Sequence, residues 1–129
     1  MKLEHQVVSL ELAQKMKELG FKQESHFYWC GSHSNPDAPW EIHNWSVRDK
    51  DFRFRNYQSN DPVSAYTVAE LGEMLPWCID GEKLESYKDS AGQYNIYCLG
   101  TEIYESDRNE AGTRAKMLIY LVENKLITV

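Results

Sequence analysis

Apolar residues recur at three- and four-residue spacing in three stretches of the chain, and each stretch predicts a helix. Leu12, Ala13, Met16 and Leu19 make the first apolar face. Ser9 before them is a good N-cap, because its hydroxyl can accept a backbone N–H that the first turn leaves unpaired. Gly20 stands where a left-handed closing residue is wanted, and Phe21 can fold back onto the helix. Val68, Leu71 and Leu75 share a second face, with Thr67 and Glu70 at capping-box spacing before it and Pro76 to stop it. Ala111, Ala115, Leu118, Ile119 and Val122 mark the third face. Met117 and Leu121 widen it, so this helix is expected to be more buried than the first. Asp107 and Glu110 repeat the capping-box spacing at its start, and Asn124 is expected to close it in the left-handed conformation. The apolar tail Leu126-Ile127-Thr128-Val129 is expected to dock on the core.

Between the helices the pattern changes to that of strands. His26-Phe27-Tyr28-Trp29-Cys30 is rich in sheet-favouring residues. Gly31 to Pro39 reads as a loop, and Trp40 to Val47 resumes a strand. Asp51-Phe52-Arg53-Phe54-Arg55-Asn56-Tyr57 alternates apolar and charged residues, which predicts one buried and one wet face. Asp49-Lys50 supplies a tight turn, so these two strands are expected to pair as a hairpin. Gln58 to Pro62 is a polar loop. Lys83 to Lys88 and Gln93 to Leu99 predict a second hairpin across Asp89-Ser90-Ala91-Gly92. The element order is α-ββ(β)-α-ββ-α. Short turns force antiparallel pairing, so the expected fold is α+β, an antiparallel sheet of about four to five strands packed by three helices. No linker divides the chain, and residues 1–129 are expected to form a single domain. The two helix-then-hairpin units match poorly side by side, which argues against a duplication.

Composition narrows the classes. With 42% hydrophobic and 12% aromatic residues in 129, the chain can bury a core and is not expected to be disordered. A net charge of −6 disfavours phosphate backbones and anionic lipid as general partners. Three widely spaced cysteines, Cys30, Cys78 and Cys98, read as reduced thiols. The apolar patch at Val7 and Val8 is too short for a signal peptide, and no run approaches the ~20 apolar residues of a membrane span. The expected location is the cytoplasm, with no membrane partner.

Candidate chemistry is sparse. His26, Cys30 and His33, with His43, Cys78 and Cys98 elsewhere, lack the matched ligand pairs of a zinc site, so no metal is expected. No nucleophile elbow or papain-type cysteine signature occurs. Cys30 would be reactive only in an electropositive, partly exposed setting; otherwise it packs as a small hydrophobe. Glu102, Glu105, Asp107 and Glu110 are read as complementing a helix dipole rather than as an acid–base pair. Gly72 and Gly81 are isolated, and no phosphate loop or other cofactor motif is present. Arg53 and Arg55, after Arg48 and Lys50, alternate with aromatics and could track a single strand of nucleic acid. Alternation sends arginines and aromatics to opposite faces, however, and Asp49 and Asp51 dilute the charge. Trp29, Trp40, Trp45 and Trp77 lie near loops or element ends, where tryptophan either closes a core edge or anchors an interface. Trp29 is assigned to the core. Trp40, Trp45, Trp77, Arg53 and Arg55 are the candidate interaction residues; catalytic residues are unknown.

Three stretches carry a resemblance: Ser9-Leu10-Glu11-Leu12-Ala13 through Leu19-Gly20-Phe21; Thr67-Val68-Ala69-Glu70-Leu71-Gly72 through Leu75-Pro76; and Glu110-Ala111 through Arg114-Ala115-Lys116-Met117-Leu118-Ile119-Tyr120-Leu121. Together they resemble small phage- and prophage-borne proteins of the phage α/β/α sandwich type. The resemblance implies an accessory role in a mobile element and transfers no catalytic residue. The expected function is therefore non-enzymatic, through an unidentified protein partner or a homo-oligomer. The alternatives are a small hydrolase-like enzyme with a Cys/His site and single-stranded nucleic-acid binding through the Arg53/Arg55 strand.

Overall fold

The computed structural model describes residues 2–31, 37–44 and 62–129. Ser9 caps α1 (Leu10–Glu18) by accepting the Leu12 N–H at 3.4 Å. Gly20 adopts φ +96°, and the Phe21 N–H reaches back to the Met16 carbonyl at 3.0 Å. That closure turns the buried Phe21 onto Ala13 and Met16. The chain then enters β1 (Phe27–Cys30), which lies between β2 (Glu41–Asn44) and β3 (Val63–Ser64) in an antiparallel sheet. Tyr28 stands opposite His43 on one side and Ser64 on the other. The expected strand from Trp40 is thus described as far as Asn44. Its continuation to Val47, the Asp49-Lys50 turn and the strand Asp51–Tyr57 lie outside the described residues.

α2 (Val68–Met74) begins with the expected capping box. Thr67 Oγ1 accepts the Glu70 N–H at 3.2 Å, and Glu70 Oε1 accepts the Thr67 N–H at 3.0 Å. A meander follows: β4 (Cys78–Ile79), β5 (Glu82–Lys88), β6 (Tyr94–Cys98) and β7 (Tyr104–Asp107) form a second antiparallel sheet in that order. The protein is α+β, as the hydrophobic pattern predicts. Its described strands divide between two sheets, because α2 separates β3 from β4 and the tight turns after β4 keep each later strand beside its predecessor.

α3 (Glu110–Glu123) packs against β6 and β7 of the second sheet and against α1 and α2. Ala111, Ala115, Leu118 and Ile119 join Val8, Met16, Val63, Tyr66 and Leu71 in one apolar cluster. Met117 and Leu121 join Ile79, Ile96 and Cys98 in another. Buried Thr113 donates to the Tyr94 carbonyl at 2.8 Å, tying the helix to β6. Lys116 donates to the Ser106 carbonyl at 3.2 Å, on the strand at the far edge of the second sheet.

Both ends of α3 differ from the sequence expectation. Asn109, not Asp107, is the N-cap, accepting from the Ala111 and Gly112 N–H groups at 2.9 and 3.3 Å. Asp107 ends β7, where its carboxylate pairs with Lys116 at 2.8 Å and accepts the Asn109 N–H at 2.9 Å. It lies so close to the Gly112 backbone that a Cβ there would stand 2.8 Å from its Cγ. At the other end Asn124 stays at φ −94°, and Lys125 takes the left-handed position at φ +58°. The bonds explain the shift. The Lys125 N–H reaches Val122 at 3.0 Å and the Leu126 N–H reaches Leu121 at 2.8 Å, the closing pair that puts Leu126 and Ile127 against the core. Of the tail, Val129 remains exposed.

A lysine at positive φ is strained where glycine is not. Lys125→Gly should therefore stabilise the fold by about 0.5–1 kcal/mol, the relieved strain less the extra freedom of the unfolded chain. A rise in the urea midpoint without a change in slope is the expected result.

Candidate interaction surface

The register of the second sheet sorts its side chains. Leu84, Ser86 and Lys88 of β5 stand opposite Cys98, Ile96 and Tyr94 of β6. Directly paired residues share a face, and this is the inner face that receives Met117 and Leu121 of α3. Glu85 and Tyr87 stand opposite Tyr97 and Asn95, which in turn oppose Tyr104 and Ser106 of β7. These residues form the outer face, which carries three tyrosines.

Asn95 is buried at the centre of that outer face and fully engaged. Its Oδ1 accepts from the Tyr104 hydroxyl, and its Nδ2 donates to Asp89 Oδ2 and the Gln93 carbonyl at 3.1 Å each. The Tyr87 and Tyr97 rings meet edge to face, 5.8 Å between centroids. The Asp89 carboxylate also accepts the Ala91 and Gln93 N–H groups at 2.9 and 3.0 Å. Those bonds, the Gln93 N–H first and the Asn95 amide next, hold its carboxyl below the usual range.

Solvent-facing apolar area concentrates here. Among the described residues the large exposed hydrophobic side chains are Trp77 (76% exposed), Tyr104 (53%), Tyr87 (50%), Leu99 (40%) and Val129 (60%). All but Val129 belong to the second sheet or flank it. On the inner side a cleft runs between β5 and β6 and the two helices that face them. Its widest part, about 770 Å³, is lined by His5, Thr67, Tyr94, Arg108 and Asn109. Two smaller cavities of about 200 and 220 Å³ continue it past Ser86 towards Trp77. Arg114 crosses the cleft, donating to the Val68 carbonyl at 2.9 Å and to Glu110 at 3.1 Å. Gly72 of α2 leaves room for its guanidinium, which sits where a side chain would begin.

The candidate residues fall in different places. Trp77 stands opposite Leu84 and lines the cleft side of the second sheet, away from the face that carries Tyr87 and Tyr104. Trp40 packs on the first apolar cluster and lines a separate cavity with Leu3, Glu4, Trp29 and Pro39. Trp29 belongs to the core edge, its indole N–H donating to the Val8 carbonyl at 2.9 Å. Trp45, Arg53, Arg55 and His33 lie outside the described residues. Cys30 and Cys98 are buried, and Cys78 is half-buried. Cys30 bonds through Sγ to the Tyr28 carbonyl at 3.7 Å, as expected of a packed thiol. His26 is exposed and His43 half-buried. Among the described residues no group of three or more His, Cys, Asp and Glu could hold a metal ion, and no helix is long and apolar enough to cross a membrane. Tyr66 is pushed up to about 12, chiefly by burial, and is a core residue.

The tyrosine face escaped the sequence reading. Its signal was the polar character of Lys83–Lys88, which marks a strand with little to bury on its outer side; Tyr104 sits on β7, whose Tyr-Glu-Ser-Asp sequence does not read as a strand. The chain matches no family model, no curated protein and no solved structure.

The Asp89 turn gives this surface a pH dependence. A carboxyl held low in the fold stabilises above its unfolded value of about 4, and the contribution disappears as pH falls through the lower folded value. Asp107 acts with the same sign: burial raises its pKa, but the Lys116 hydrogen bond, the Asn109 N–H and the Lys116 charge together hold it low. Asp89→Ala should reduce stability at pH 7 and flatten its fall between about pH 5 and 2. Urea titrations at several pH values compare the two slopes.

Proposed function

We propose that the protein is a non-enzymatic accessory protein that works by binding another protein through its second sheet and the adjoining cleft. The observation that carries this reading is that exposed aromatic side chains stand on both sides of the second sheet, Tyr87 and Tyr104 on its outer face and Trp77 beside the cleft. Tyrosine and tryptophan supply large contact area with few rotatable bonds and are enriched at the centres of protein interfaces. The Tyr104–Asn95–Asp89 bonds hold part of this surface in shape before any partner arrives, which lowers the cost of binding. The outer face also places Lys83 beside Glu85 at 3.8 Å, so it is no cationic track for a phosphate backbone. An accessory role in a phage or prophage, implied by the helices' resemblance, fits this reading without carrying it.

The test compares the full chain with a Trp77→Ala, Tyr87→Ser double variant. Both side chains are at least half exposed, so stability should change by only about 1 kcal/mol. Proteins retained specifically by the wild-type chain from host cells should be lost from the variant. Retention of the same proteins by both would overturn the proposal. Sedimentation of the two chains separates self-association through this surface from capture of a different protein.

A further inference from the structure

β4 covers only the beginning of β5. Ile79 and Cys78 stand opposite Glu82 and Lys83, and beyond them the Leu84 N–H donates to the Trp77 carbonyl at 3.0 Å. β5 then continues to Lys88. The direction of its remaining backbone groups follows from the antiparallel alternation. The Leu99 N–H donates to Lys83 at 3.0 Å and the Asp89 N–H donates to Gln93 at 2.9 Å, so the odd-numbered residues of β5 bond to β6. Ser86 and Lys88 therefore turn their N–H and C=O groups to the other side, where no strand lies among the described residues. Both residues are exposed.

The two small cavities flank this edge and share Ser86, Ile96 and Arg114. One has an apolar wall of Leu75, Pro76, Trp77 and Leu84, with Ser86 and Arg114 opposite. The other lies at Lys88, Tyr94 and Thr113. The Lys88 ammonium lies over the Tyr94 ring at 5.1 Å and has no carboxylate partner among the described residues. Arg114, by contrast, already holds Glu110. Lys88 thus offers a positive charge beside the open edge, although the chain as a whole carries −6.

We propose that the edge of β5 at Ser86 and Lys88 accepts an extended peptide of a partner protein as an added strand. An apolar side chain of the peptide fills the cavity beside Trp77, and an acidic one, two residues away, meets Lys88. Main-chain hydrogen bonds to Ser86 and Lys88 supply affinity, and the paired cavities select every second side chain. The inference rests on the docking reading above and names its partner chemistry. A second copy of the chain fits less well. Two-fold pairing about Ser86 sets Lys88 against Leu84, whose N–H is already taken by Trp77. Pairing about Tyr87 sets Glu85 against Asp89, two like charges.

The test selects a displayed library of random linear dodecapeptides against the full chain and titrates the recovered peptides. The expected consensus is an apolar residue and an aspartate or glutamate two positions apart. Ser86→Pro removes only an N–H that the fold does not use, at an edge position where proline is tolerated. It should weaken these peptides at least tenfold while leaving the melting temperature unchanged. Lys88→Glu should replace the acidic preference with a basic one. On binding, the Ser86 and Lys88 amides should become slow to exchange with deuterium. Equal binding to wild type and Ser86→Pro overturns the proposal; if that binding is lost in the Trp77→Ala, Tyr87→Ser variant, docking stands without strand addition. Recovery of no peptide overturns it too, and the partner-capture comparison then decides the broader reading. Dimerisation abolished by Ser86→Pro would assign the edge to a second copy instead.

Discussion

Ala111, Ala115 and Leu118 leave α3 towards one apolar cluster, and Met117 and Leu121 leave it towards the other. This two-sided burial is the constraint on which the other elements depend. Leu75 and Ile127 touch both clusters, at the end of α2 and in the C-terminal tail, so the clusters meet around the helix. Each fully buried leucine or methionine contributes about 1.5–3 kcal/mol relative to exposure, which makes α3 the costliest element to displace. Its small residues serve the same end. Gly112 lets Asp107 approach the backbone, and Ala111 and Ala115 keep the helix near its neighbours.

With one face of the second sheet committed to α3, everything else about that sheet is set by what α3 leaves uncovered. The outer face has no helix against it among the described residues, so Tyr87, Tyr97 and Tyr104 cover it and Asn95 is satisfied within the sheet itself. The cleft arises because α2 packs on α3 rather than on β5, with Arg114 spanning the gap to the Val68 carbonyl. Surface and core therefore share one origin: the same helix that fills both clusters determines which strand groups stay open.

Much of the helical framework was legible because its signals are local. Ser9, the Thr67–Glu70 pair and Gly20 act within one turn, and each does what its chemistry suggests. The ends of α3 were misplaced by one or two residues because competing groups were available. Asp107 and Asn109 can both cap, and the choice fell to Asn109 once Lys116, about two turns further along, had claimed Asp107. Asn124 and Lys125 can both close, and the choice was made by bonds to Leu121 and Val122 that depend on where the tail docks. The strands missed, Val63–Ser64, Cys78–Ile79 and Tyr104–Asp107, are too short or too polar to show alternation, and exist because a neighbour offers a ladder. The site was the least legible part. Trp77 could be named from its place after Pro76, but an open strand edge is a property of pairing partners and leaves no mark in composition.

The two edges of the second sheet are not equivalent. At β7 the Lys116 side chain reaches over and occupies the Ser106 carbonyl, with Asp107 alongside it. A lysine so placed blunts the edge against further pairing. A strand arriving at β5 thus joins a sheet whose opposite edge is disfavoured for further pairing. Recruitment through β5, as proposed, would therefore favour a discrete complex over cross-β growth from both edges, with one ammonium group biasing the outcome.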